Sequence, residues 1–351
     1  MKRTTFTRAA SVAAAAALAL TAAACGSSST HSDNGLPTVT MMVGGIDKQI
    51  YLPYQLAEGL GYYKKYGVNM ELSTEQQGGV GAEDALAAGQ VNMGGVWYVH
   101  TIEFQQAGKN IISVAQLSGA PGEREMCANN SNVHSPADFK GKSVGVTDLG
   151  SGTDDLTTAL AAQQKLTTKD FSRVGVGDGS TLISSLQRNR IACAMTTQPT
   201  VAAIEKKGVG YSAVDLATTS GAQKYLGGVY PAAGVLANGD WVNAHKDVVQ
   251  KVVNALVDTM HYIHTHSAAD IAAHMPPKFV SNDLITQADY IKALDQDKDQ
   301  FLPDGMMPDG AAATALSVDR LAGKITKPVD LSKSYTNDFV IQANKTIGAG
   351  N

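Results

Sequence analysis

Along residues 38–117, short runs of apolar and β-branched residues alternate with stretches in which apolar residues recur at helical spacing. The runs predict strands and the stretches predict helices, because side chains alternate between faces in a strand and return every three or four positions in a helix. The predicted strands are 38–43, 68–72, 91–93 and 111–117, and the predicted helices are 52–65, 82–88 and 96–107. This β–α order predicts a largely parallel sheet covered by helices on both faces.

A second block, between residues 135 and 236, repeats the same pattern. Its predicted strands are 143–147, 173–176, 191–195 and a run that ends at Leu236, and its predicted helices begin at Ser151, Leu182 and Val201. From Asp240 onward the pattern is nearly all helical. A chain of 351 residues with two such blocks predicts two domains rather than one.

The N-terminus follows a different pattern, in which Lys2, Arg3 and Arg8 precede an apolar run that ends at Cys25. This order predicts an export signal at residues 1–24, because a basic end and a short apolar segment are what the translocon accepts. The run is too short and too alanine-rich to remain as a membrane span. A cysteine at the cleavage point can accept a diacylglycerol, so we expect a lipidated Cys25 on a tether, 25–36. The alternative is an ordinary secretory signal that contains a cysteine.

The charge balance argues against a nucleic-acid partner. The net charge is −4, and removing the three cations of the signal lowers it to −7. No basic stripe remains on the mature chain. With the lipid anchor, we expect the protein at the extracytoplasmic face of the cell membrane.

Two cysteines remain after Cys25, namely Cys127 and Cys193. In an oxidising compartment such a pair can form a disulfide. Two buried free thiols are the alternative, and spacing alone does not decide between them.

Candidate ligand-binding residues follow from a rule for open α/β sheets, in which ligands gather beyond the carboxyl ends of the strands. The rule nominates loop residues and the first residues of the following helices. They are Gly45, Asp47, Lys48, Gln49, Gly78, Gly79, Trp97, Tyr98, Ser151, Gly152, Thr153 and Gln198, and Tyr230 is added as a cleft-lining aromatic residue.

Two of these sites have a specific chemical use. Ser151-Gly152-Thr153 opens a helix whose free N–H groups and hydroxyls suit an anion, although either hydroxyl could instead cap its own helix. Asp154 and Asp155 follow in the first turn and would repel an anion unless they point outward. Trp97 could stack on a ring or donate its N–H, or it could simply fill the core.

An enzyme is the main alternative class. Four histidines cluster in the sequence, His261, His264, His266 and His274, and two of them share a helix face that could bind zinc. No H-E-x-x-H pattern, G-x-S-x-G elbow or P-loop lysine accompanies them. We therefore expect no catalytic residue, no metal and no cofactor.

Several segments resemble one family. They are 52–68 (LPYQLAEGLGYYKKYGV), 137–146 (ADFKGKSVGV), 150–153 (GSGT), 301–308 (FLPDGMMP) and 329–331 (VDL). In this order they resemble the nitrate/sulfonate/taurine-type substrate-binding proteins of ABC transporters, here as a bacterial lipoprotein.

The resemblance implies an α/β fold of the type II periplasmic-binding-protein class, with two lobes joined by two hinge crossovers. The crossovers would fall near 118–126 and 226–232. Residues 37–126 and 227–351 would form lobe 1, and residues 127–226 would form lobe 2.

The resemblance also implies a function without catalysis. A monomer would capture a small ligand, such as a sulfonate, nitrate or similar organic anion, by closing its lobes, and would deliver it to an ABC transporter permease. Two alternatives remain open. One is binding of a thiamine-precursor pyrimidine, although the G-C-C-C motif of that branch is absent. The other is a stand-alone sensory lipoprotein of the same fold.

Overall fold

The structure is a computed structural model that describes residues 35–75 and 79–348. Residues 1–34, with the predicted signal and Cys25, lie outside the described residues, as does Gly78. Among the described residues, no helix has both the length and the apolarity needed to cross a membrane.

Within residues 35–75 and 79–348, ten strands form two five-stranded sheets. The strands of the first sheet are β1 (Thr38–Val43), β2 (Asn69–Thr74), β3 (Met93–Trp97), β4 (Ile111–Gln116) and β10 (Ala233–Asn238). The strands of the second sheet are β5 (Glu123–Ala128), β6 (Ser143–Val146), β7 (Ser172–Gly175), β8 (Cys193–Thr197) and β9 (Gly210–Asp215). Their orders are β2-β1-β3-β10-β4 and β7-β6-β8-β5-β9. Two helix-flanked sheets of this kind confirm the predicted two-lobe α/β fold.

Helices connect and cover the strands of both sheets. Those before β10 are α1 (Leu52–Gly59), α2 (Tyr62–Lys65), α3 (Val80–Ala87), α4 (Val99–Gln106), α5 (Gly152–Gln163), α6 (Gly179–Gln187), α7 (Thr200–Lys207) and α8 (Thr219–Leu226). Those after it are α9 (Gly239–Ala244), α10 (Lys246–Thr265), α11 (Ala268–Ala273), α12 (Pro277–Val280), α13 (Gln287–Asp297), α14 (Ala311–Leu321) and α15 (Asp338–Gly348). Short 3-10 helices occur at Gln49–Tyr51, Pro136–Phe139, Lys298–Gln300 and Leu331–Lys333.

Four of the five strands in each sheet run parallel to one another, which confirms the predicted largely parallel sheets, and one strand runs antiparallel. β10 runs antiparallel to β3 and β4, and β5 runs antiparallel to β8 and β9. These are the strands that follow the two passages between the sheets. The parallel strands end at the edge that faces the other sheet, so a chain that crosses over there must begin its next strand at that edge.

The first crossover is shorter than predicted. The expected segment 118–126 includes the first four residues of β5, which lies between β8 and β9 in the second sheet. The connection between the sheets is therefore 117–122, and the predicted lobe boundary at 126/127 falls inside a strand. β9 and α8 had no counterpart among the predicted elements.

A disulfide within the second sheet, an ion pair between the lobes and a long helix on the first sheet hold these elements in place. Cys127 and Cys193 are directly opposite each other on β5 and β8 and form a disulfide with an S–S distance of 2.03 Å. Arg124 of β5 makes two hydrogen bonds of 2.7 Å to Asp297 of α13 and one of 3.0 Å to Asp215. The long helix α10 packs its apolar face against α1, α15 and the first sheet.

Candidate functional site

A small cavity lies where the two sheets face each other. Its volume is about 20 Å³, which is room for roughly one water molecule. The first sheet and its connections contribute Lys48, Ile50, Tyr51, Glu83, Trp97 and His100, and the second contributes Glu123, Thr147, Gly152 and Thr153. Four of the predicted site residues, Lys48, Trp97, Gly152 and Thr153, therefore meet here. The walls come from both lobes, so this space opens or closes with the relative position of the lobes.

A larger groove of about 700 Å³ runs along the second lobe beside β7 and α6. All of its lining residues lie between Thr147 and Ile191. One lobe forms the whole lining of this groove, whereas both lobes line the smaller cavity. We therefore place the candidate site in the cavity between the lobes.

Lys48 crosses the cleft from the loop after β1. Its Nζ lies 3.1 Å from Oδ2 of Asp178 in the other lobe and donates a hydrogen bond of 3.2 Å to the Gly44 carbonyl. The side chain folds back over Gly45, which has a φ of +109°, and a Cβ at that position would lie 2.9 Å from Lys48 Cδ. The glycine thus permits both the turn and the buried position of the ammonium group.

Three other predicted site residues, Asp47, Gln49 and Gln198, do not line the cavity. Asp47 is exposed. Gln49 donates its backbone N–H across the cleft to the Gln198 carbonyl at 3.0 Å, but its amide Nε2 bonds the Tyr290 carbonyl at 2.9 Å. The Gln198 side chain accepts a hydrogen bond from the Ala202 N–H. These two glutamines hold the lobes and α7 in place and do not line the cavity.

Trp97, at the end of β3, packs directly on the start of α5. A Cβ added at Gly152 would lie 2.6 Å from Cζ3 of the indole, so only glycine permits this approach. Tyr230 meets the other side of Trp97 edge-on, with ring centroids 6.1 Å apart. The Tyr230 hydroxyl is buried and has no hydrogen-bond partner among the described residues. Trp97 thus lines the cavity and packs across the lobes at once.

Tyr98 points away from the cavity. Its hydroxyl lies 2.6 Å from Ser334 Oγ, and its ring meets Tyr335 edge-on. Burial raises the pKa of this phenol to about 12. Tyr98 therefore belongs to the packing between α4 and the C-terminal segment.

The hydroxyls at the start of α5 bond mainly to one another and to the loop after β6. Thr153 Oγ1 accepts the Thr147 N–H at 3.0 Å, and Ser151 Oγ donates to the Asp148 carbonyl at 2.8 Å. Ser151 Oγ and Thr147 Oγ1 each lie 2.8 Å from Thr153 Oγ1. Thr153 lines the cavity and Ser151 is fully buried behind it. The predicted capping role is wrong for Ser151, whose side chain makes no cap hydrogen bond to α5, and contact with a ligand stays a prediction.

The two acids in the first turn of α5 point away from the cavity. Asp154 pairs with Arg173 at 2.6 Å, and Asp155 pairs with Lys324 at 2.8 Å. Burial, with the nearby Glu103 carboxylate, raises the pKa of Asp155 to about 7. Neither acid therefore opposes an anion at the start of the helix.

The sequence rule missed three charged residues that line the cavity, namely Glu83, His100 and Glu123. His100 Nε2 lies 2.9 Å from Glu83 Oε1, and its Nδ1 lies 2.7 Å from Glu103 Oε2. Burial lowers the pKa of His100, but the two carboxylates outweigh it and raise the pKa well above its usual value. Glu83 and His100 occupy the first turns of α3 and α4. The rule would have found them had it been extended one turn into every helix that follows a strand.

Glu123, at the start of β5, faces the cavity from the second lobe. The residue is 3% exposed, and its Oε2 has no hydrogen-bond partner among the described residues. Burial raises the pKa of this carboxyl to about 8, although Lys48 acts in the opposite direction. At pH 7 the carboxyl is therefore protonated in this arrangement.

The remaining predicted positions lie outside the cavity. Gly79 donates its N–H to Glu75 Oε2 at 2.8 Å just before α3, and Gly78 is outside the described residues. The four clustered histidines do not converge: His261 bonds Asn344, His264 bonds the Phe301 carbonyl, and His266 stacks on Tyr262. No group of potential metal ligands within the described ranges includes any of them.

The structure resembles known binding proteins over most of its length. A protein of Bordetella bronchiseptica RB50 is 28% identical with a TM-score of 0.81, covering 89% of this chain and 98% of its own. The alkanesulfonate-binding protein SsuA of Xanthomonas axonopodis pv. citri, bound to MOPS, is 15% identical with a TM-score of 0.66, covering 85% and 98%. The periplasmic nitrate-binding protein NrtA of Synechocystis PCC 6803 is 15% identical with a TM-score of 0.68, covering 88% and 89%.

The same fold also occurs in an enzyme, the desulfurization enzyme DSZB, which is 14% identical with a TM-score of 0.61. Most of the similar structures are nevertheless binding proteins. No curated protein matches the chain.

The family assignment comes from the sequence itself. The family model described as NMT1/THI5 like matches residues 50–270, which is more than half of the chain. This match includes β3, the start of α5 and β5, whose residues line the cavity. The sulfonate- and nitrate-binding proteins share this fold, in agreement with the sequence resemblance to ABC-transporter substrate-binding proteins. The chain belongs to the NMT1/THI5-like family.

Proposed function

We propose that the protein is a lipid-anchored, extracytoplasmic solute-binding protein. It captures nitrate or a small organic anion such as a sulfonate, and delivers this solute to an ABC importer. The observation that supports this function best is the cavity lined from both lobes. A solute that contacts both walls binds the closed form better than the open form and shifts the population toward it. No chemistry is required of the site.

The charges at the cavity support an anion. Lys48, which also pairs with Asp178 at 3.1 Å, supplies the positive charge, and the Thr147 and Thr153 hydroxyls line the opposite wall. The negative charge of Glu83 is offset by His100 at 2.9 Å. The pKa of about 8 leaves Glu123 neutral at pH 7, so it can donate a hydrogen bond.

A second candidate is a pyrimidine related to thiamine synthesis. It is favoured by the unpartnered Glu123 oxygen beside the Trp97 indole. A carboxyl group can pair with an amino group and an adjacent ring nitrogen, while the indole stacks on the ring.

A thermal-shift panel of the purified protein tests both candidates, with sulfonates, nitrate, bicarbonate and pyrimidines tested in the presence of EDTA. A solute at one hundred times its Kd stabilises the protein by about 2.7 kcal/mol. We expect an anion to give the largest shift and Lys48→Met to abolish it. The exposed Lys109, changed to Met, is the matched control. If a pyrimidine shifts the melting temperature while every anion is silent, the anion assignment is wrong.

The anchor is tested separately by replacing Cys25 with Ser. The substitution removes the thiol that would carry the lipid, so we expect the protein to leave the membrane fraction. Unchanged retention in the membrane would contradict the anchor while leaving the solute site untouched.

Delivery to a permease distinguishes an importer component from a sensor. Deletion of the gene should abolish uptake of the radiolabelled solute if the protein serves an importer. Normal uptake without the protein would contradict this role and favour the stand-alone sensory lipoprotein.

A further inference from the structure

A group of buried charged side chains lies where α5 of the second lobe packs against the first lobe. Oδ1 of Asp155, on α5, lies 2.8 Å from Nζ of Lys324, and the same Nζ lies 3.5 Å from Oε1 of Glu103 on α4. Asp319 of α14 is fully buried, and neither of its carboxylate oxygens has a hydrogen-bond partner among the described residues. We call Asp155, Asp319, Glu103 and Lys324 the interlobe cluster.

Hydrogen bonds hold Lys324 on the first-lobe side of this cluster. Gln106, on α4, donates from Nε2 to the Lys324 carbonyl at 2.9 Å. The neighbouring Gln105 accepts the Asp330 N–H at 2.6 Å, so α4 holds the whole segment after α14. Asp155, in contrast, belongs to α5, which packs against β6 and β8 of the second sheet. Opening of the lobes therefore separates Asp155 from Lys324.

The carboxylates at this contact outnumber the cations. Two cations, His100 and Lys324, lie among four carboxylates, namely Glu83, Glu103, Asp155 and Asp319. If every carboxyl were ionised, two buried negative charges would remain unbalanced, which is strongly unfavourable. Two protons restore the balance. Burial, with the carboxylates of Asp155 and Glu103, raises the pKa of Asp319 well above its usual value, so Asp319 carries the first proton.

The other titratable groups around α5 do not remove the remaining excess. Asp154, next to Asp155 on the helix, is paired with Arg173 at 2.6 Å. Burial raises the pKa of the Tyr230 phenol well above its usual value, so Tyr230 stays neutral. Arg320 of α14 and Asp138 of the neighbouring 3-10 helix are exposed. The strands beneath α5, β6 and β8, contain no charged residue. The second proton therefore falls to Asp155.

The pKa of Asp155 agrees with this charge balance. Burial and the Glu103 carboxylate raise it to about 7, although Lys324 acts in the opposite direction. A hydrated aspartate, as in open lobes, has a pKa of about 4. Closure therefore takes up a proton when the pH lies between these two values. Its contribution to closure is present at low pH and is lost as the pH rises through about 7.

We infer that Asp155 links closure of the lobes to proton uptake, so that the interlobe cluster closes with a proton bound and opens as that proton leaves. Acidification then favours capture of a solute, and a rise in pH favours its release. The inference rests on the lobe closure of the proposed function, but it acts outside the cavity and needs no solute.

Small-angle scattering of the purified protein between pH 5 and 8, without solute, measures this link. Each proton taken up on closure lowers the ratio of closed to open molecules by about tenfold per pH unit below the raised pKa. We therefore expect the radius of gyration to increase as the pH rises. Circular dichroism at each pH checks that the protein remains folded.

Variants separate Asp155 from the other groups that titrate. Asp155→Asn should reduce the pH response by about half, because Glu123 at the cavity also has a raised pKa, of about 8. Asp155→Asn combined with Glu123→Gln should abolish the response. Lys324→Met removes the cation that favours the ionised carboxylate, so the response should extend to higher pH. Asp154→Asn, which changes the adjacent carboxyl on the same helix, is the control and should respond like the parent.

A radius of gyration that does not change with pH in the parent protein would overturn the inference. A response in Asp155→Asn equal to that of the parent would also overturn it. Since no solute is added, failure of the proton link and failure of the solute site are read from different experiments.

Discussion

The two walls of the cleft are built from different kinds of residue. The first lobe presents long charged or aromatic side chains, whereas the second presents hydroxyls, a glycine and one acid. The first set is Lys48, Tyr51, Glu83, Trp97 and His100, together with the aliphatic Ile50, and the second is Glu123, Thr147, Gly152 and Thr153. We infer that the two walls have different roles. The side chains of the first wall recognise the solute, and the second wall, whose backbone lies close to the surface, closes over it.

The tie between the lobes at the hinge should be the most sensitive point. Asp297→Ala removes the carboxylate that bonds Arg124 twice at 2.7 Å, leaving a largely buried guanidinium with Asp215 alone. We expect the free energy of unfolding to fall by about 3–5 kcal/mol, as for other broken buried pairs. Urea denaturation followed by circular dichroism measures it.

The matched control is Lys206→Ala, which breaks a pair between the same two lobes, with Asp289 at 2.6 Å. This lysine is half exposed, so a loss of at most about 1 kcal/mol is expected. Equal losses in the two variants would show that the hinge pair has no special role.

The contact between the walls can be blocked without changing any charge. Gly152→Val places a Cβ 2.6 Å from Trp97 Cζ3, so the lobes cannot close fully. We expect solute affinity to fall by about a hundredfold, which is about 2.7 kcal/mol, with a larger radius of gyration by small-angle scattering.

Gly348→Ala is the control, because a Cβ there meets nothing within 4 Å. Full affinity in Gly152→Val would mean that the second wall does not close on the solute.

How far the sequence predicts this molecule depends on where the stabilising contacts come from. β1 was predicted with its observed bounds because its alternating burial follows directly from its own residues. β5 was missed because its sequence, EREMCA, contains three charged residues although all six positions are buried. Arg124 is tolerated there because it pairs with Asp297, 173 residues away. The two glutamates are tolerated because burial raises the pKa of both carboxyls, which favours their neutral form.

The candidate site shows the same limit. Lys48, Trp97, Gly152 and Thr153 were found because strand ends mark the cleft. Tyr98 was expected at the same strand end, but its side chain turns toward Ser334, a residue far away in sequence. Distant partners of this kind decide which of two adjacent aromatic residues enters the cavity, and no local pattern shows them.

Replacing Trp97 tests whether the first wall recognises the solute. Trp97→Ala should weaken solute binding by at least about tenfold, or about 1.4 kcal/mol. Trp241→Ala, which removes a tryptophan stacked on His245, is the control and should keep full affinity. Calorimetry measures both. Unchanged binding in Trp97→Ala would assign the indole to packing alone.

The smallest effect is expected behind the second wall. Ser151→Ala removes a buried hydroxyl that bonds the Asp148 carbonyl at 2.8 Å, and we expect a stability loss of about 1 kcal/mol. Solute affinity should change less than about threefold, since Ser151 does not line the cavity. Ser185→Ala, on the exposed face of α6, is the control for stability. A larger loss of affinity than of stability would place Ser151 in contact with the solute.

The most direct test of a solute site between the lobes uses the fluorescence of Trp97. The chain has two tryptophans, so Trp241→Phe leaves Trp97 as the sole indole reporter. The account predicts a saturable change in its emission on titration with the solute, at the same midpoint as calorimetry. Calorimetric binding without any change in Trp97 emission would contradict it, because the solute would then bind away from the cleft.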